Sequence, residues 1–150
     1  MKVKFKKLNS SAVTPAKAHS TDAGFDLTAI SCSVDKYGSY VYSTGIAIEI
    51  PHGYVGLLFP RSSVAKKSQI LSNCVGVIDS DYRGEIMLKF KHVEGAIRHW
   101  IFGGDCQEIY NVGERVGQLI IMKLPDIELE EADILSDTDR GTSGYGSTGK

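Results

Sequence analysis

The stretch YVYSTGIAIEIPHGYVGLLF, residues 40–59, carries the clearest signal of the fold. Tyr, Val and Ile are concentrated in short runs that partly alternate with polar residues, a pattern that is typical of β-strands. Gly45 and the segment PHG at residues 51–53 interrupt these runs where turns are expected. The stretch therefore predicts several short strands joined by tight turns.

The same pattern extends over most of the 150 residues, which is enough chain for one hydrophobic core. No segment keeps a helical period for three turns, and only residues 62–68 would fit a short helical turn. We therefore expect an all-β jelly-roll barrel or sandwich over residues 1–139, with at most one short helix and a flexible glycine-rich tail at residues 140–150. Besides a first strand around Val3 and Phe5, the β-type runs are residues 25–30, 40–50, 54–59, 70–78, 85–90, 116–124 and 127–134.

Composition excludes several classes of function. The formal net charge of −1 does not favour a nucleic-acid or anionic-membrane partner, and no apolar run is long enough to span a bilayer. The basic N-terminus is followed by no apolar region, so we expect no signal peptide. The three cysteines are odd in number and far apart, which favours a reducing, cytoplasmic location, and the four histidines lack metal-ligand spacing.

The segment GVIDSDYRGE, residues 76–85, is the first candidate for chemistry. An apolar run leads into Asp79, a turn follows, and the chain returns in another β-type run, which predicts a hairpin. Asp and Gly are favoured in turns without any function. A partly buried Asp at the end of an apolar strand would also suit a general base that activates water. The spacing alone supports both interpretations equally.

The segment PRSS, residues 60–63, follows an apolar run and combines Arg61 with two hydroxyls and consecutive backbone N–H groups. Such a group of donors can bind an anion. A surface turn with an N-cap serine is the alternative, and for this segment alone it is the more common case.

Two further segments hold single polar residues within apolar surroundings. AGFDL, residues 23–27, places Asp26 between two apolar residues, and RVGQLI, residues 115–120, begins a strand that carries Gln118 as a candidate donor. The alternative for AGFDL is a strand entry with one exposed acid. The alternative for RVGQLI is a polar side chain on the wet face of a strand, which for that segment alone is the more common case.

The tail RGTSGYGSTGK, residues 140–150, has no apolar periodicity but carries many phosphate-binding groups. Its last seven residues match the start of a Walker A loop, yet no Ser or Thr and no helix follow the lysine, so we reject that interpretation. Arg140, Ser147 and Thr148 can still contact a phosphate, and Tyr145 can stack on a flat ring. A disordered terminus is the alternative.

Taken together and in this order, the five segments resemble the trimeric dUTPase family, and they cover nearly the whole chain from Ala23 to Gly149. The resemblance implies a jelly-roll homotrimer with active sites at subunit interfaces and no nucleic-acid or membrane partner. It also implies Mg²⁺-dependent hydrolysis of dUTP to dUMP and pyrophosphate, which limits uracil incorporation into DNA and supplies dUMP for dTMP synthesis.

The resemblance also assigns roles to the nucleoside-binding residues. Asp79 matches the general base whose water attacks the α-phosphorus, and Tyr82 matches the tyrosine that packs on the deoxyribose and excludes a 2′-hydroxyl. The uracil would be bound by Asn73 and by the backbone of Gly76, Val77 and Ile78.

Phosphate contacts are implied for the remaining segments. Asp26 matches an acid that reaches through water to Mg²⁺, which is held mainly by the triphosphate. The tail would close as a lid over the nucleotide, with Tyr145 over the uracil. The implied phosphate-binding residues are Arg61, Ser62, the backbone of Ser63, and Gln118, together with Arg140, Gly144, Ser147 and Thr148 of the tail.

The chain departs from the family pattern in three places. Tyr145 stands where phenylalanine is usual, and Ser63 stands where glycine is common. Residues 91–114 are longer than the family's tight turn and include Trp100. This segment would form either an extended hairpin with a small apolar cluster or a contact with another protein.

Two rival functions remain to be weighed. A dCTP deaminase, or a bifunctional deaminase, of the same fold would carry a catalytic glutamate where this chain has Lys89, and a charged lysine cannot accept a proton. A non-catalytic nucleotide-binding protein would have no need for Asp79, Tyr82 and the tail, all of which are present. Both observations favour dUTP hydrolysis.

Overall fold

The computed structural model describes residues 1–93 and 109–144, and in these ranges the chain forms ten β-strands and one short 3-10 helix. The prediction of an all-β fold with at most one short helix is confirmed. In chain order the strands are β1 (Lys4–Lys7), β2 (Phe25–Thr28), β3 (Ser31–Val34), β4 (Tyr40–Ser43), β5 (Ile46–Glu49), β6 (Tyr54–Phe59), β7 (Gln69–Leu71), β8 (Gly76–Ile78), β9 (Met87–His92) and β10 (Arg115–Lys123), and the 3-10 helix spans Ser62–Lys66.

The strands form two four-stranded antiparallel sheets and one two-stranded sheet. The first large sheet has the order β2-β10-β6-β8, and the second has the order β3-β4-β9-β7. β1 pairs with β5 alone among the described strands. Because consecutive strands often lie in different sheets, the chain crosses repeatedly between the two layers, as expected for a jelly roll.

The core lies between the two large sheets. Leu27 of β2, Leu58 of β6 and Leu119 of β10 form one buried cluster with Leu88 and Phe90 of β9. Alternation along each strand places these side chains on one face of the sheet. Complete burial of a large apolar side chain stabilises the fold by about 1.5–3 kcal/mol relative to exposure, so this cluster accounts for much of the driving force.

An aromatic group with its own hydrogen bonds lies within this core. The Tyr42 ring meets Phe90 and Tyr110 nearly edge to face, with ring centroids 5.7 and 6.1 Å apart. The Tyr42 hydroxyl donates to the backbone oxygen of Tyr110 at 3.0 Å, and Gln69 Nε2 donates to the Tyr42 hydroxyl at 3.2 Å. These bonds satisfy polar atoms that would be costly to bury alone.

The turn expected at Gly45 is confirmed, because Gly45 adopts φ +66 and divides residues 40–50 into β4 and β5. Two other details of the predicted strand pattern were wrong. Residues 127–134 form no strand in the described chain, and Leu129 is 94% exposed, because this segment pairs with none of the ten described strands. Strand β3 was not predicted, since its residues are exposed and lack an apolar face.

The predicted hairpin around Asp79 was also wrong. β8, which precedes Asp79, pairs with β6 in the first large sheet, whereas β9 pairs with β4 and β7 in the second. The turn at residues 79–86 therefore links the two sheets. The tight turn was identified correctly, but a local pattern of turn residues does not specify which strand each neighbour joins.

Within the described ranges, none of the elements is a helix of the length and apolar character needed to cross a bilayer.

Stability at alkaline pH should depend on Tyr42. Burial raises the pKa of Tyr42 to about 12, even though the hydrogen bond with Gln69 works in the opposite direction. The folded state therefore holds the phenol proton more tightly than the unfolded state, and this contribution is lost as the pH rises from about 10 through 12. In Tyr42→Phe, the free energy of unfolding should fall by about 1 kcal/mol at pH 7 but decline less steeply above pH 10.

Urea unfolding at pH 7, 10 and 11 measures both effects, and Tyr37→Phe, which alters an exposed ring, is the matched control. Some alkaline dependence should persist, since burial also raises the pKa of Tyr110. Parallel pH profiles for Tyr42→Phe and the unmodified chain would contradict this account.

Candidate active site

A cavity of about 370 Å³ opens beside β8, between the edges of the two large sheets. Its walls combine apolar side chains from the core margin with the polar turn that follows β8. Six residues that were predicted to bind or act on the nucleoside lie together here: Asn73, Gly76, Val77, Ile78, Asp79 and Tyr82.

β8 offers this cavity a strand edge. It pairs with β6 on one side and has no second neighbour among the described strands. An edge strand presents a row of backbone N–H and C=O groups. A planar base with alternating donors and acceptors can pair with such an edge, much as another strand would. The turn before β8 is fixed by Cys74, whose φ of +59 is uncommon for a residue other than glycine.

Tyr82 is held in one orientation by the turn that follows β8. Its hydroxyl donates to the backbone oxygen of Glu85 at 3.0 Å, and its ring covers Gly84 so closely that a Cβ there would overlap the ring. Glu85 in turn accepts a hydrogen bond from the Gly45 backbone N–H at 2.6 Å. The tyrosine is therefore anchored to the body of the domain although its ring is exposed on the cavity side.

Asp79 lies at the mouth of this cavity, directly after β8. In the described part of the chain, its carboxylate accepts no hydrogen bond and forms no ion pair, although its backbone oxygen accepts one from the Tyr82 N–H. The expected partial burial is not found, because the side chain is exposed in the single chain. The carboxylate is therefore available to a water molecule or to a ligand.

Lys89 lines the same cavity, where a deaminase of this fold would need a proton-accepting glutamate. Its ammonium donates to Asp35 Oδ2 at 3.3 Å. The place that would hold that glutamate is therefore taken by a lysine that is ion-paired with Asp35.

A second, polar cavity of about 240 Å³ lies at the other end of the first large sheet. Arg61 Nε donates to Asp26 Oδ1 at 2.7 Å, and Arg115 donates to Asp26 Oδ2 at 2.9 Å. Gln118 Nε2 donates to the backbone oxygen of Pro60 at 3.2 Å. Four of the predicted phosphate and metal contacts line this cavity together: Asp26, Arg61, Ser62 and Gln118.

Strand register explains why residues so distant in sequence meet here. β10 lies between β2 and β6, and Gln118 of β10 is directly opposite Asp26 on one side and Phe59 on the other. Gly24 is required at the edge of this site, because a Cβ there would lie 2.6 Å from Gln118 Oε1. Three of the five predicted segments therefore converge through one central strand.

Asp26 suits indirect rather than direct metal binding. No group of three or more His, Cys, Asp or Glu side chains arranged to hold a metal ion occurs within residues 1–93 and 109–144. Both Asp26 oxygens already face guanidinium groups. Mg²⁺ keeps several of its waters and commonly binds through substrate phosphates and one or two carboxylates, so a contact with Asp26 through water fits this arrangement.

The two cavities are separated along β6. Ile78 is opposite Gly56, so Asp79 follows at the level of Val55, whereas Arg61 lies six residues further along the same direction. At the rise of a β-strand this separation is about 20 Å. At this separation, the Asp79 carboxylate and the Arg61 guanidinium of one copy do not contact the same small group, and each belongs to a different cavity.

The tail is described only in part. Arg140 and Gly144 are exposed and line neither cavity, and Arg140 Nε donates to the backbone oxygen of Ser143 at 3.0 Å. The predicted contacts Tyr145, Ser147 and Thr148 lie outside the described residues, as does the segment 94–108 with Trp100.

Sequence reasoning missed three side chains that shape these sites. Arg115 and Glu85 belong to the quoted segments, and their charge was the only feature of the sequence that could have indicated a role. Arg115 binds Asp26, and Glu85 binds the backbone N–H of Gly45. Tyr110 carried no local signal at all, because its contact with Ser63 in the PRSS turn arises only from tertiary packing.

The site has a strand edge suited to a planar base, with a carboxylate beside it. A separate polar turn is suited to phosphate. Together these features define a nucleotide-binding β-sandwich. The family model described as dUTPase matches residues 10–149. The chain therefore belongs to the dUTPase family, and the predicted resemblance is confirmed.

Curated relatives and solved structures are similar to this chain over its full length. The deoxyuridine 5′-triphosphate nucleotidohydrolase of Nautilia profundicola is 42% identical over 152 residues, covering 100% of both chains. The enzyme of the same name from Corynebacterium glutamicum is 39% identical over 150 residues, covering 99% of this chain and 95% of its own. The dUTPase of Staphylococcus bacteriophage 80alpha, solved with dUpNHpp, superposes with a TM-score of 0.80 at 28% identity, covering 99% of each chain.

Gly84→Ala tests whether the orientation of Tyr82 determines sugar selectivity. The added methyl group would overlap the Tyr82 ring and displace it from the Glu85 backbone oxygen. If the ring excludes a 2′-hydroxyl, the ratio of kcat/KM for dUTP to that for UTP should fall by about tenfold or more.

Ser80→Ala, in the same turn but outside the cavity lining, should keep the ratio of the unmodified chain. Thermal unfolding verifies that both variants fold. An unchanged ratio in a folded Gly84→Ala variant would show that Tyr82 does not control this selectivity.

Proposed function

We infer that this chain is a dUTP diphosphatase, which hydrolyses dUTP to dUMP and pyrophosphate. Membership of the dUTPase family and full-length similarity to proteins named deoxyuridine 5′-triphosphate nucleotidohydrolase support this activity. The observation that carries it is the first cavity, where the Asp79 carboxylate, the Tyr82 ring and the open edge of β8 surround one space of about 370 Å³.

The proposed reaction is an attack of water on the α-phosphorus. Asp79 accepts a proton from the water as the new P–O bond forms, and the bond from the α-phosphorus to the oxygen bridging the β-phosphate breaks. Pyrophosphate leaves with that oxygen. The β8 edge and Asn73 bind the uracil, and Tyr82 packs on the deoxyribose, so the nucleoside positions the α-phosphorus in front of Asp79.

The second cavity supplies the contacts to the phosphates. The Arg61 guanidinium, the Ser62 hydroxyl and the Gln118 amide line this cavity and would neutralise and orient the phosphate oxygens. The backbone of Ser63, which does not line the cavity but follows Ser62 in the same turn, would add a further donor. Asp26 would hold Mg²⁺ through water, and the ion, bound mainly by the triphosphate, would supply further charge neutralisation when present. A neighbour in structure, the dUTPase of S. aureus phage phi11, contains a structural Mg(II) ion.

We propose that complete sites form between copies of the chain in a homotrimer. The separation of about 20 Å along β6 prevents Asp79 and Arg61 of one copy from contacting the same phosphate, so another copy must supply one of them. Closed rings of identical subunits bring two different surfaces of the chain together in this way. Leu129, Ile134 and Leu135 are almost fully exposed, which also supports association with another copy.

The tail is proposed to act as a lid. Arg140 and the hydroxyls of Ser147 and Thr148 would bind the γ-phosphate, Gly144 would allow close approach, and Tyr145 would cover the uracil. Deletion of residues 140–150 should leave the oligomer intact, as measured by light scattering, while turnover falls by at least about 10²-fold. Loss of the oligomer on deletion would assign the tail a structural role instead.

We also propose a cytoplasmic location. Cys32 and Cys74 are exposed free thiols, which suits a reducing compartment. Fractionation of cells that express the tagged chain would test this, and recovery outside the cytoplasmic fraction would contradict it.

The activity is tested by offering dUTP, dCTP, dTTP and UTP separately, with Mg²⁺, in water enriched in ¹⁸O. Only dUTP should be consumed, and the label should appear in dUMP, because attack at the α-phosphorus places the water oxygen there. Label in pyrophosphate would place the attack at the β-phosphorus. Deamination of dCTP would contradict the proposed function, and so would the absence of any turnover.

Asp79→Asn should lower kcat by about 10²–10⁴ while binding of dUpNHpp, measured by calorimetry, changes little, because the base is lost and the cavity shape is kept. Asp81→Asn is the matched control, since Asp81 is an exposed carboxylate in the same turn that does not line the cavity. Near-normal turnover in Asp79→Asn would exclude Asp79 as the base.

A further inference from the structure

The hydroxyl of Tyr110 contacts the turn that carries the predicted phosphate ligands. Tyr110 Oη lies 3.3 Å from Ser63 Oγ, and either atom can donate the proton. Ser63 directly follows Ser62, which lines the second cavity with Arg61. The Tyr110 ring is only 2% exposed and is fixed by Tyr42 and Phe90, so its hydroxyl has a defined position.

The same tyrosine also contacts the other end of this turn. The Lys67 ammonium lies 4.8 Å from the centroid of the Tyr110 ring, within the range of a cation–π interaction. The Lys67 side chain is only 4% exposed, and its ammonium donates to Glu114 at 2.9 Å and to the Ile109 backbone oxygen at 3.0 Å. A buried, paired lysine of this kind is a rigid part of the structure rather than a mobile surface group.

The turn itself has little internal stabilisation. It is a 3-10 helix of five residues, Ser62–Lys66, none of which is buried, and Arg61 at its N-cap makes no side-chain capping bond. Such short 3-10 helices have poor hydrogen-bond geometry and are weakly stable by themselves. External contacts must therefore fix its backbone, and Tyr110 provides one at each end.

The backbone of Tyr110 is held as firmly as its ring. Its N–H donates to Gln69 Oε1 at 3.0 Å, and its carbonyl oxygen accepts from the Tyr42 hydroxyl at 3.0 Å. Tyr110 is thus fixed by the hydrophobic core and in turn restrains the surface turn that it contacts. Burial also raises the pKa of Tyr110, so the phenol keeps its proton at neutral pH.

We propose that Tyr110 is a positioning residue for phosphate binding, acting through the Ser63 hydroxyl to hold Arg61 and Ser62 against the phosphates. This inference rests on the proposed function, in which that turn contacts the triphosphate of dUTP. A chain with glycine in place of Ser63 would lack this contact, so the serine and the tyrosine form one functional pair. The nucleoside cavity does not include Tyr110, so binding of the nucleoside is independent of it.

The test compares Tyr110→Phe, Ser63→Ala and the double variant in the full-length protein. Loss of one hydrogen bond in the phosphate site should lower kcat/KM for dUTP by about three- to tenfold and weaken inhibition by pyrophosphate by a similar factor. Inhibition by deoxyuridine should be unchanged. The double variant should be no worse than either single variant, because both changes remove the same bond.

Tyr42→Phe is the matched control. Tyr42 belongs to the same buried aromatic group, and its hydroxyl bonds Gln69 and the Tyr110 backbone without contacting Ser63. Because Tyr42 reaches the turn only through Tyr110, Tyr42→Phe should lower thermal stability at least as much as Tyr110→Phe but weaken the inhibition by pyrophosphate less. A merely structural role for Tyr110 would give the same result in Tyr110→Phe as in Tyr42→Phe, or additive losses with Ser63→Ala, and either would overturn the proposal.

The activity of the unmodified protein distinguishes a failure of this inference from a failure of the proposed function. If it fails to hydrolyse dUTP, the proposed function fails before Tyr110 is tested. If it is active and Tyr110→Phe binds pyrophosphate as tightly as the unmodified protein, only the role of Tyr110 fails. Ser63→Ala, which alters a half-buried hydroxyl outside the hydrophobic core, provides the same readout should Tyr110→Phe fold poorly.

Discussion

The antiparallel pairing of β6 with β8 is the constraint on which the arrangement of functional groups depends. Gly76, Val77 and Ile78 face Leu58, Leu57 and Gly56, so the chain leaves β8 at Asp79 beside the start of β6. The phosphate-binding turn begins at the opposite end of β6, after Phe59. A shift of this register would reverse the sides of β8 and lose the buried contacts, so the core itself fixes the separation of the two half-sites.

Because the two cavities are separated, the two ends of the first large sheet carry different functional groups. One end of the sheet has a strand edge, an aromatic ring and an unpaired carboxylate within its described surroundings, which suits a nucleoside and a water molecule. The other end has arginines and amides arranged around Asp26, which suits phosphate and hydrated Mg²⁺. In the proposed homotrimer each site combines the two ends from different copies, so assembly is part of the proposed chemistry as well as of stability.

The sequence predicted the fold class, and the residues that it selected for the nucleoside and for the phosphates lie together in two cavities. Apolar alternation and the five ordered segments are local signals that sequence reasoning can detect. It did not predict that residues 79–86 connect two sheets, or that residues 127–134 remain unpaired, since periodicity describes a strand's faces and not its partner. The exposure of Asp79 was also missed, because the apolar run before the residue does not show which elements cover it. Tyr110 could not be found from sequence, because its contacts to Ser63 and Lys67 join segments more than 40 residues apart.

The central claim, that one site is shared between two copies, is tested most directly by mixing inactive subunits. Asp79→Asn and Arg61→Gln chains with different tags would be co-expressed, and oligomers containing both would be purified and assayed for dUTP hydrolysis. In a ring of three, one site combines the intact Asp79 of one chain with the intact Arg61 of the other, so about one third of normal activity should return. Oligomers in which both differently tagged chains carry Asp79→Asn should stay inactive, because no site then has an intact Asp79. Mixed Asp79→Asn and Arg61→Gln oligomers that remain inactive would contradict the shared site.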